Sequence, residues 1–271
     1  MIELFQLQFF RNAFIMSLLL GVLFGVLSFF VVMRKMSFLG AGIAHTAFGG
    51  VALGVLLGIN PFLTSFAFCV AAAILIGKLV RYGKLSFDAG IGIFFSLSMA
   101  LGAIFLALKK GYTFDLMSYL FGNILGVTHL DTLIALVTLV IFIIFIIIFM
   151  HRILFMTIDE EVAAVSGVRT GALDTALLIF LAVIIVTSIK IVGIILVSAL
   201  VVLPASFGLI ISRDYRKVIL GAILFTITVM TGGLFLSYYL DLPAGATMVT
   251  AGSALYFISL VIAQKIIKRK T

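Results

Sequence analysis

Charge is scarce in this chain. Of 271 residues, 10% are Asp, Glu, Lys or Arg and 64% are hydrophobic, with a mean hydropathy of +1.40. A water-soluble domain of that balance would have too little polar surface to cover itself. There is one cysteine, Cys69, so neither an internal disulfide nor a cysteine-metal site can form within one chain; it reads as a small buried hydrophobe. No Gly-x4-Gly-Lys-Ser/Thr loop is present, which excludes ATP binding through a P-loop, and no His-Glu-x-x-His or serine with an evident intramembrane base suggests a protease. Acidic residues are absent from the middle of every long apolar run. An ion-gradient carrier commonly keeps carboxylates there for its coupling ion, so that class loses weight.

Long apolar runs, in contrast, are abundant. Residues 133–150 and 177–189 reach or approach the length of a membrane-spanning helix. The pattern predicts an all-α, polytopic transmembrane bundle with about nine spans, at 12–33, 37–58, 61–80, 87–108, 131–150, 171–189, 191–211, 218–239 and 245–264. Eight spans result if the first segment lies flat. Residues 1–12 hold Glu3 and lack a basic leader region, so the first span is expected to stay in the membrane. With no soluble insertion, low-complexity tract or clear repeat, residues 1–271 read as a single transmembrane domain.

The net charge of +8 would suit nucleic acid, but its distribution suits a membrane. Arg11, Lys109, Lys110 and Lys190 fall at one set of span ends; the other fourteen of the 18 Lys and Arg residues, from Arg34 and Lys35 to Lys268-Arg269-Lys270, fall at the opposite set. That asymmetry makes the richer side, and the C-terminus, cytoplasmic. Between spans, 111–129 should be a partly helical outer segment holding Tyr112, Asp115, Ser118, Tyr119, Asn123, Thr128 and His129. Lys190 is expected to snorkel to the outer interface, and Pro204 to kink its helix.

His45 stands out as a lone titratable side chain inside an apolar helix. It lies ten residues beyond Lys35, and at ~1.5 Å per residue that is roughly 15 Å, the midplane of a hydrocarbon core ~30 Å thick. Polar groups at that depth mark a substrate or ion path by default. Small residues surround it: Ala41, His45 and Gly49 form one row, and Gly50, Gly54 and Gly58 recur every four residues, as do Gly21 and Gly25, a spacing that lets backbones approach.

A second feature lies on the inner side, at about 151–170. Thr157-Ile158-Asp159-Glu160 reads as a capping box, with Asp159, Glu160 and Glu161 complementing the helix dipole and Gly167 as the stop. Ile158, Val162 and Val165 would then share one face of a short surface helix. It is either an ordinary interfacial helix or a docking helix for a soluble partner.

Several stretches together resemble the membrane permeases of ABC importers for zinc and manganese. They are Met36-Ser-Phe-Leu-Gly40 with His45 and Gly50-Val-Ala-Leu-Gly54; Tyr119-Leu-Phe-Gly-Asn-Ile-Leu125; Asp159-Glu-Glu with Ser166-Gly167; Val192 to Ala205; and Leu236 to Gly245. The resemblance implies a permease that pairs with a second copy of itself, with separate P-loop ATPase subunits gripping the coupling residues Ile158, Asp159, Glu160, Glu161, Val162, Val165 and Gly167. It also implies an extracellular metal-binding protein that delivers the cargo, membrane lipid as surroundings, and no nucleic acid. The chain itself would be no enzyme and hold no cofactor, its divalent metal being substrate. Many members carry Asp four residues before the histidine, where this chain has Ala41. His45 would then be a transit site completed by the second copy, by hydroxyls such as Thr46 or by carbonyls, which tilts the expected cargo to zinc first and manganese second. The rivals are a permease for a larger ligand, such as a metal chelate or vitamin, and an ion-gradient cation carrier.

Overall fold

Several helices in this protein close on a residue with a left-handed backbone. The first long helix closes at the basic pair: Lys35 takes φ +56°, its N–H donates to Val32 O, and the Met36 N–H donates to Val31 O. This is a Schellman closure with lysine in glycine's usual place. Gly58 (φ +68°) and Gly167 (φ +88°) end their helices by the same pair of bonds. Gly58 therefore serves as a cap and leaves the packing row expected of it; nothing lies within 4 Å of where its Cβ would stand.

The computed structural model describes residues 2–83, 86–109 and 116–268. Lys84, Lys110, Tyr112, Asp115, Arg269 and Lys270 lie outside the described residues, as do the side chains of Glu3, Asp88 and Lys268. Among the described residues the chain is all helical: α1 (Ile2–Gln6), α2 (Gln8–Met33), α3 (Leu39–Leu57), α4 (Pro61–Gly83), α5 (Phe87–Leu108), α6 (Leu116–Phe121), α7 (His129–Ile158), α8 (Glu160–Val165), α9 (Thr170–Val192), α10 (Val197–Ile211), α11 (Tyr215–Leu240) and α12 (Ala244–Lys268), with a 3₁₀ turn at Ile124–Gly126. Eight of these helices are long and apolar enough to cross a membrane. The ninth apolar helix, α10, has 15 residues and spans only about 22 Å. The short element is thus α10, whereas the first apolar segment belongs to the 26-residue α2.

The chain forms two compact units. One comprises 1–37, 116–136 and 188–271. In it α2 packs on α10 and α11. Gly21 and Gly25 face Ile227 and Ile223 so closely that a Cβ would meet backbone, as their four-residue spacing predicts. Phe10 gathers Phe5, Phe235 and Tyr238 around it. Pro204 is buried inside α10, which continues on both sides of it. The segment from α6 to the 3₁₀ turn is pinned to the α9–α10 junction: Ile194 N–H donates to Tyr119 O (2.9 Å), Ile195 N–H to Leu120 O (3.2 Å) and Asn123 N–H to Lys190 O (2.7 Å). Gly122 (φ +81°) and Gly193 (φ +85°) make that approach possible, since a side chain on either would strike the opposing backbone.

The other unit comprises 38–115 and 137–187. Here α3 lies between α4 and α5. Gly50 and Gly54 press on α4 at Ser65 and Pro61, Gly42 on Ile91 of α5, and Gly49 on the Ser98 carbonyl. Gly77 of α4 meets Thr175 of α9, and Phe180 of α9 packs against Phe142 and Phe145 of α7 at 5.1 and 4.9 Å between ring centres. A continuous series of contacts thus runs α7–α9–α4–α3.

Candidate functional site

His45 sits on the second turn of α3, and the packing around it is unequal. Leu39, Gly40, Gly42, Ile43, Ala44, Thr46 and Ala47 are buried, while Ala41 and His45, one turn apart, are half-buried. The imidazole and Ala41 therefore share an open stripe on the otherwise buried first two turns of α3. On one side the ring meets Phe95 of α5 edge to face, with centres 4.7 Å apart at 74°. That contact restricts the ring's rotamers.

The Thr46 hydroxyl does not join it. Thr46 Oγ1 donates to Gly42 O at 2.8 Å, within α3, and accepts from Ser98 Oγ of α5 at 3.4 Å. The threonine expected to assist His45 is turned into the packed face of the helix. Its hydroxyl satisfies a backbone carbonyl, as Ser and Thr commonly do in apolar surroundings. No group of three or more His, Cys, Asp or Glu side chains that could hold a metal ion occurs among the described residues. Within one copy, His45 therefore has no second His, Cys, Asp or Glu donor grouped with it to make a three-residue site among the described residues.

The segment at 151–170 departs from its expected form. Helix α7 does not stop near residue 150; it runs 30 residues to Ile158, about 45 Å, well beyond a ~30 Å hydrocarbon core. Thr157 is consequently inside α7, its hydroxyl donating to Ile153 O at 2.7 Å, and is not a cap. The cap is Asp159: its backbone is extended (φ −150°, ψ 108°) and its Oδ1 accepts from the Val162 N–H at 3.0 Å. The single extended residue breaks the helical phase, so Ile158 ends one helix while Val162 and Val165 share the next. All three are nonetheless exposed, at 85%, 50% and 91%, while Ala163 is fully buried. Glu160 and Glu161 occupy the first turn of α8, and Gly167 follows its end. The result is a short, capped surface helix with apolar side chains facing outward, joined to α7 through the single residue Asp159 and tied by a short link to α9.

A buried polar cluster that the sequence reading missed lies around α6. Lys190 Nζ reaches both oxygens of Asp131 at 2.8 and 2.7 Å. Asp131 also accepts from the Thr128 N–H (2.9 Å) and hydroxyl (2.7 Å) at the start of α7. Lys190 thus pairs internally instead of reaching for the interface. These bonds commit Asp131 to Lys190 and Thr128. Beside the pair is a cavity of about 220 Å³ lined by Ser118, Tyr119, Asn123, Gly126 and Lys190. Burial, and then the Asp131 carboxylate, raise the Tyr119 phenol above its ordinary pKa. Two opposite charges assigned to the same side of the membrane were the available signal.

The sequence matches the ABC 3 transport family over residues 6–263. The chain belongs to that family. The family read from the sequence motifs is therefore the one this chain falls in, as a multi-pass membrane protein. Among its relatives, the manganese transport system membrane protein MntC of Listeria innocua is 33% identical over 262 residues, covering 97% of this chain and 93% of the relative. The high-affinity zinc uptake system membrane protein ZnuB of Haemophilus influenzae is 29% identical over 248 residues, covering 92% and 95%. The solved structure of PsaBC from Streptococcus pneumoniae in complex with Fab matches with a TM-score of 0.86 at 31% identity, covering all of this chain and 98% of the other. This ABC 3 family member is thus similar to these proteins over more than nine-tenths of its length.

Proposed function

We propose that residues 1–271 act as one permease domain of an ATP-driven importer for a divalent transition metal ion, zinc ahead of manganese. The observation that carries the ordering is the His45 stripe: a half-buried imidazole whose neighbour one turn before it is Ala41. Zinc accepts imidazole nitrogen readily, whereas manganese prefers carboxylate and other oxygen donors. Manganese is the second reading, favoured by the name of the Listeria relative. A single imidazole in each copy argues for a shared site at a seam between two copies. Weak coordination suits a pathway, because the ion must leave as readily as it enters.

The energy source in this reading is a pair of separate P-loop ATPase subunits docked on Val162, Val165, Ile158 and the acidic first turn of α8. The charge asymmetry of the sequence argues for that helix and the C-terminus being cytoplasmic, with the α6 end outside, where a metal-binding protein would deliver the ion. Force applied at α8 enters α7 and α9 directly and reaches α3 through the Gly77–Thr175 and Gly50–Ser65 contacts. Closure of the ATPases would thereby move the helix that carries His45.

Uptake of radioactive zinc and manganese, in cells stripped of other importers and supplied with the partner subunits, tests this reading. Wild-type protein should restore zinc uptake, and manganese less well. His45→Ala should lose most of the flux at normal protein levels; full flux in that variant would remove His45 from the path. A Glu160→Ala/Val162→Ser variant should lose uptake while remaining folded, and unchanged uptake there would refute docking at α8. Competition by a metal chelate but not by free Zn²⁺ would favour a permease for a larger ligand. Uptake without any ATPase partner would favour a gradient-driven carrier.

A further inference from the structure

A hollow of about 490 Å³ opens between α7 and α9 at the end from which α8 springs. It is within the size range of small-molecule pockets, so it holds far more than an ordered water. Its walls divide by chemistry. On α7, Phe145, Phe149 and Arg152 follow one another at i, i+4 and i+7, on one face of the helix. On the other side, Leu173 and Ala176 line the first turns of α9, the alanine giving the hollow its width. Arg169, just before α9, stands at the same end as Arg152.

The apolar wall is held in place. Phe145 and Phe149 lie 5.2 Å apart between ring centres, and Phe145 is braced by Phe180 at 4.9 Å. The Arg152 guanidinium is 5.9 Å from the Phe149 ring centre, placing the charge over the aromatic wall. Among the described residues, neither the Arg152 nor the Arg169 side chain makes a hydrogen bond or ion pair. Two unpaired guanidinium groups at the head of an apolar trough, between two membrane-spanning helices, form an amphiphilic site. Its polar end takes an oxyanion, for which the planar guanidinium fork is the preferred donor. Its apolar end takes hydrocarbon.

We propose that this hollow binds one anionic phospholipid, with its phosphate on Arg152 and Arg169 and its acyl chains along Phe145, Phe149 and Leu173. Basic pockets between membrane helices are known to select such headgroups. Arg169 belongs to the link that joins α8 to α9, so the bound lipid braces the joint through which α8 moves. A zwitterionic lipid would bring a cation to a site that already holds two. The proposal rests on the membrane-spanning fold alone and is independent of the cargo.

The protein contains no tryptophan, so Phe149→Trp creates a lone fluorescent reporter in the wall of the hollow. The full-length variant in lipid nanodiscs is titrated with brominated phosphatidylglycerol or brominated phosphatidylcholine. Half-maximal quenching is expected at a mole fraction on the order of tenfold lower for phosphatidylglycerol, and Arg152→Gln/Arg169→Gln should abolish the difference. Equal quenching by the two lipids would reduce the hollow to ordinary annular contact and overturn the proposal. Absence of quenching by both would show a protein surface covering the hollow, and would overturn it equally. Because F149W alters the site itself, native mass spectrometry of the unaltered chain provides the second readout. Phosphatidylglycerol should survive delipidation in preference to phosphatidylcholine, and its loss at the same rate would sink the idea. Neither measurement involves transport, so failure here leaves the importer reading untouched.

Discussion

Lys190 and Asp131, 59 residues apart in sequence, form a two-pronged ion pair with N–O distances of 2.8 and 2.7 Å. The carboxylate side chain is only 9% exposed and the lysine side chain 30%. Asp131 caps the start of α7 through Thr128, and the Lys190 carbonyl accepts from the Asn123 N–H, so the two residues couple α7, α9 and the α6 segment. Removing the lysine leaves a buried carboxylate with only the Thr128 donors. Lys190→Met should therefore destabilise the detergent-solubilised protein by about 1–3 kcal/mol. Adding Asp131→Asn to it should recover part of the loss. A double-mutant cycle of thermal midpoints measures both, and strictly additive single effects would show that the pair carries no coupling.

That pair also marks where sequence reasoning ran out. The spans were legible because length and apolar content alone identify a membrane helix, and the glycine rows at Gly21/Gly25 and Gly50/Gly54 were legible because backbone approach requires small residues at fixed spacing. His45 was legible as an isolated polar group. Pairing across 59 residues was not, since neither Lys190 nor Asp131 carries any local sign of its partner. Thr46 was misjudged for another reason: only its rotamer, set by the Gly42 carbonyl one turn back and Ser98 on α5, decides which way the hydroxyl points. The Thr157 capping box failed because Asp159 fits a cap equally well, and α7 simply continued past the basic pair His151-Arg152.

The two capping candidates give opposite expectations. Asp159→Ala removes the acceptor for the Val162 N–H and should cost α8 about 1 kcal/mol, enough to fray a six-residue helix. Thr157→Val removes only a hydroxyl bonded within α7 and should leave α8 intact. Hydrogen exchange over 159–167 distinguishes them: faster exchange in D159A alone supports the observed cap, whereas faster exchange in T157V would restore the capping box.

Adjacent glycines in α11 offer a test of packing. A Cβ on Gly233 would stand 2.7 Å from the Met248 Cα of α12, while one on Gly232 would meet nothing within 4 Å. Gly233→Ala must push α12 away and should lower stability by at least about 1–3 kcal/mol. Gly232→Ala should be neutral or stabilising by up to about 1 kcal/mol, since alanine is the better helix former. Thermal midpoints of the two variants in one detergent discriminate; equal shifts would mean that α11 and α12 do not pack at this glycine.

Ala41 bears most directly on cargo. It shares the half-buried stripe with His45, one helical turn away, so a carboxylate there would face the same space as the imidazole. Ala41→Asp should therefore turn a nitrogen-only position into a mixed nitrogen–oxygen one and raise manganese uptake relative to zinc by several-fold. The substitution carries its own cost, because an unpaired carboxylate within an apolar membrane helix is unfavourable until a cation neutralises it. Metal-starved A41D protein should consequently be less stable than wild type and be rescued by added Mn²⁺, a dependence that alanine at this position cannot produce. The ratio of ⁵⁴Mn to ⁶⁵Zn uptake, read beside thermal stability with and without Mn²⁺, separates outcomes. A raised ratio with metal-dependent rescue places position 41 on the ion's route, and an unchanged ratio in stably expressed A41D removes both this stripe and the ordering of zinc before manganese.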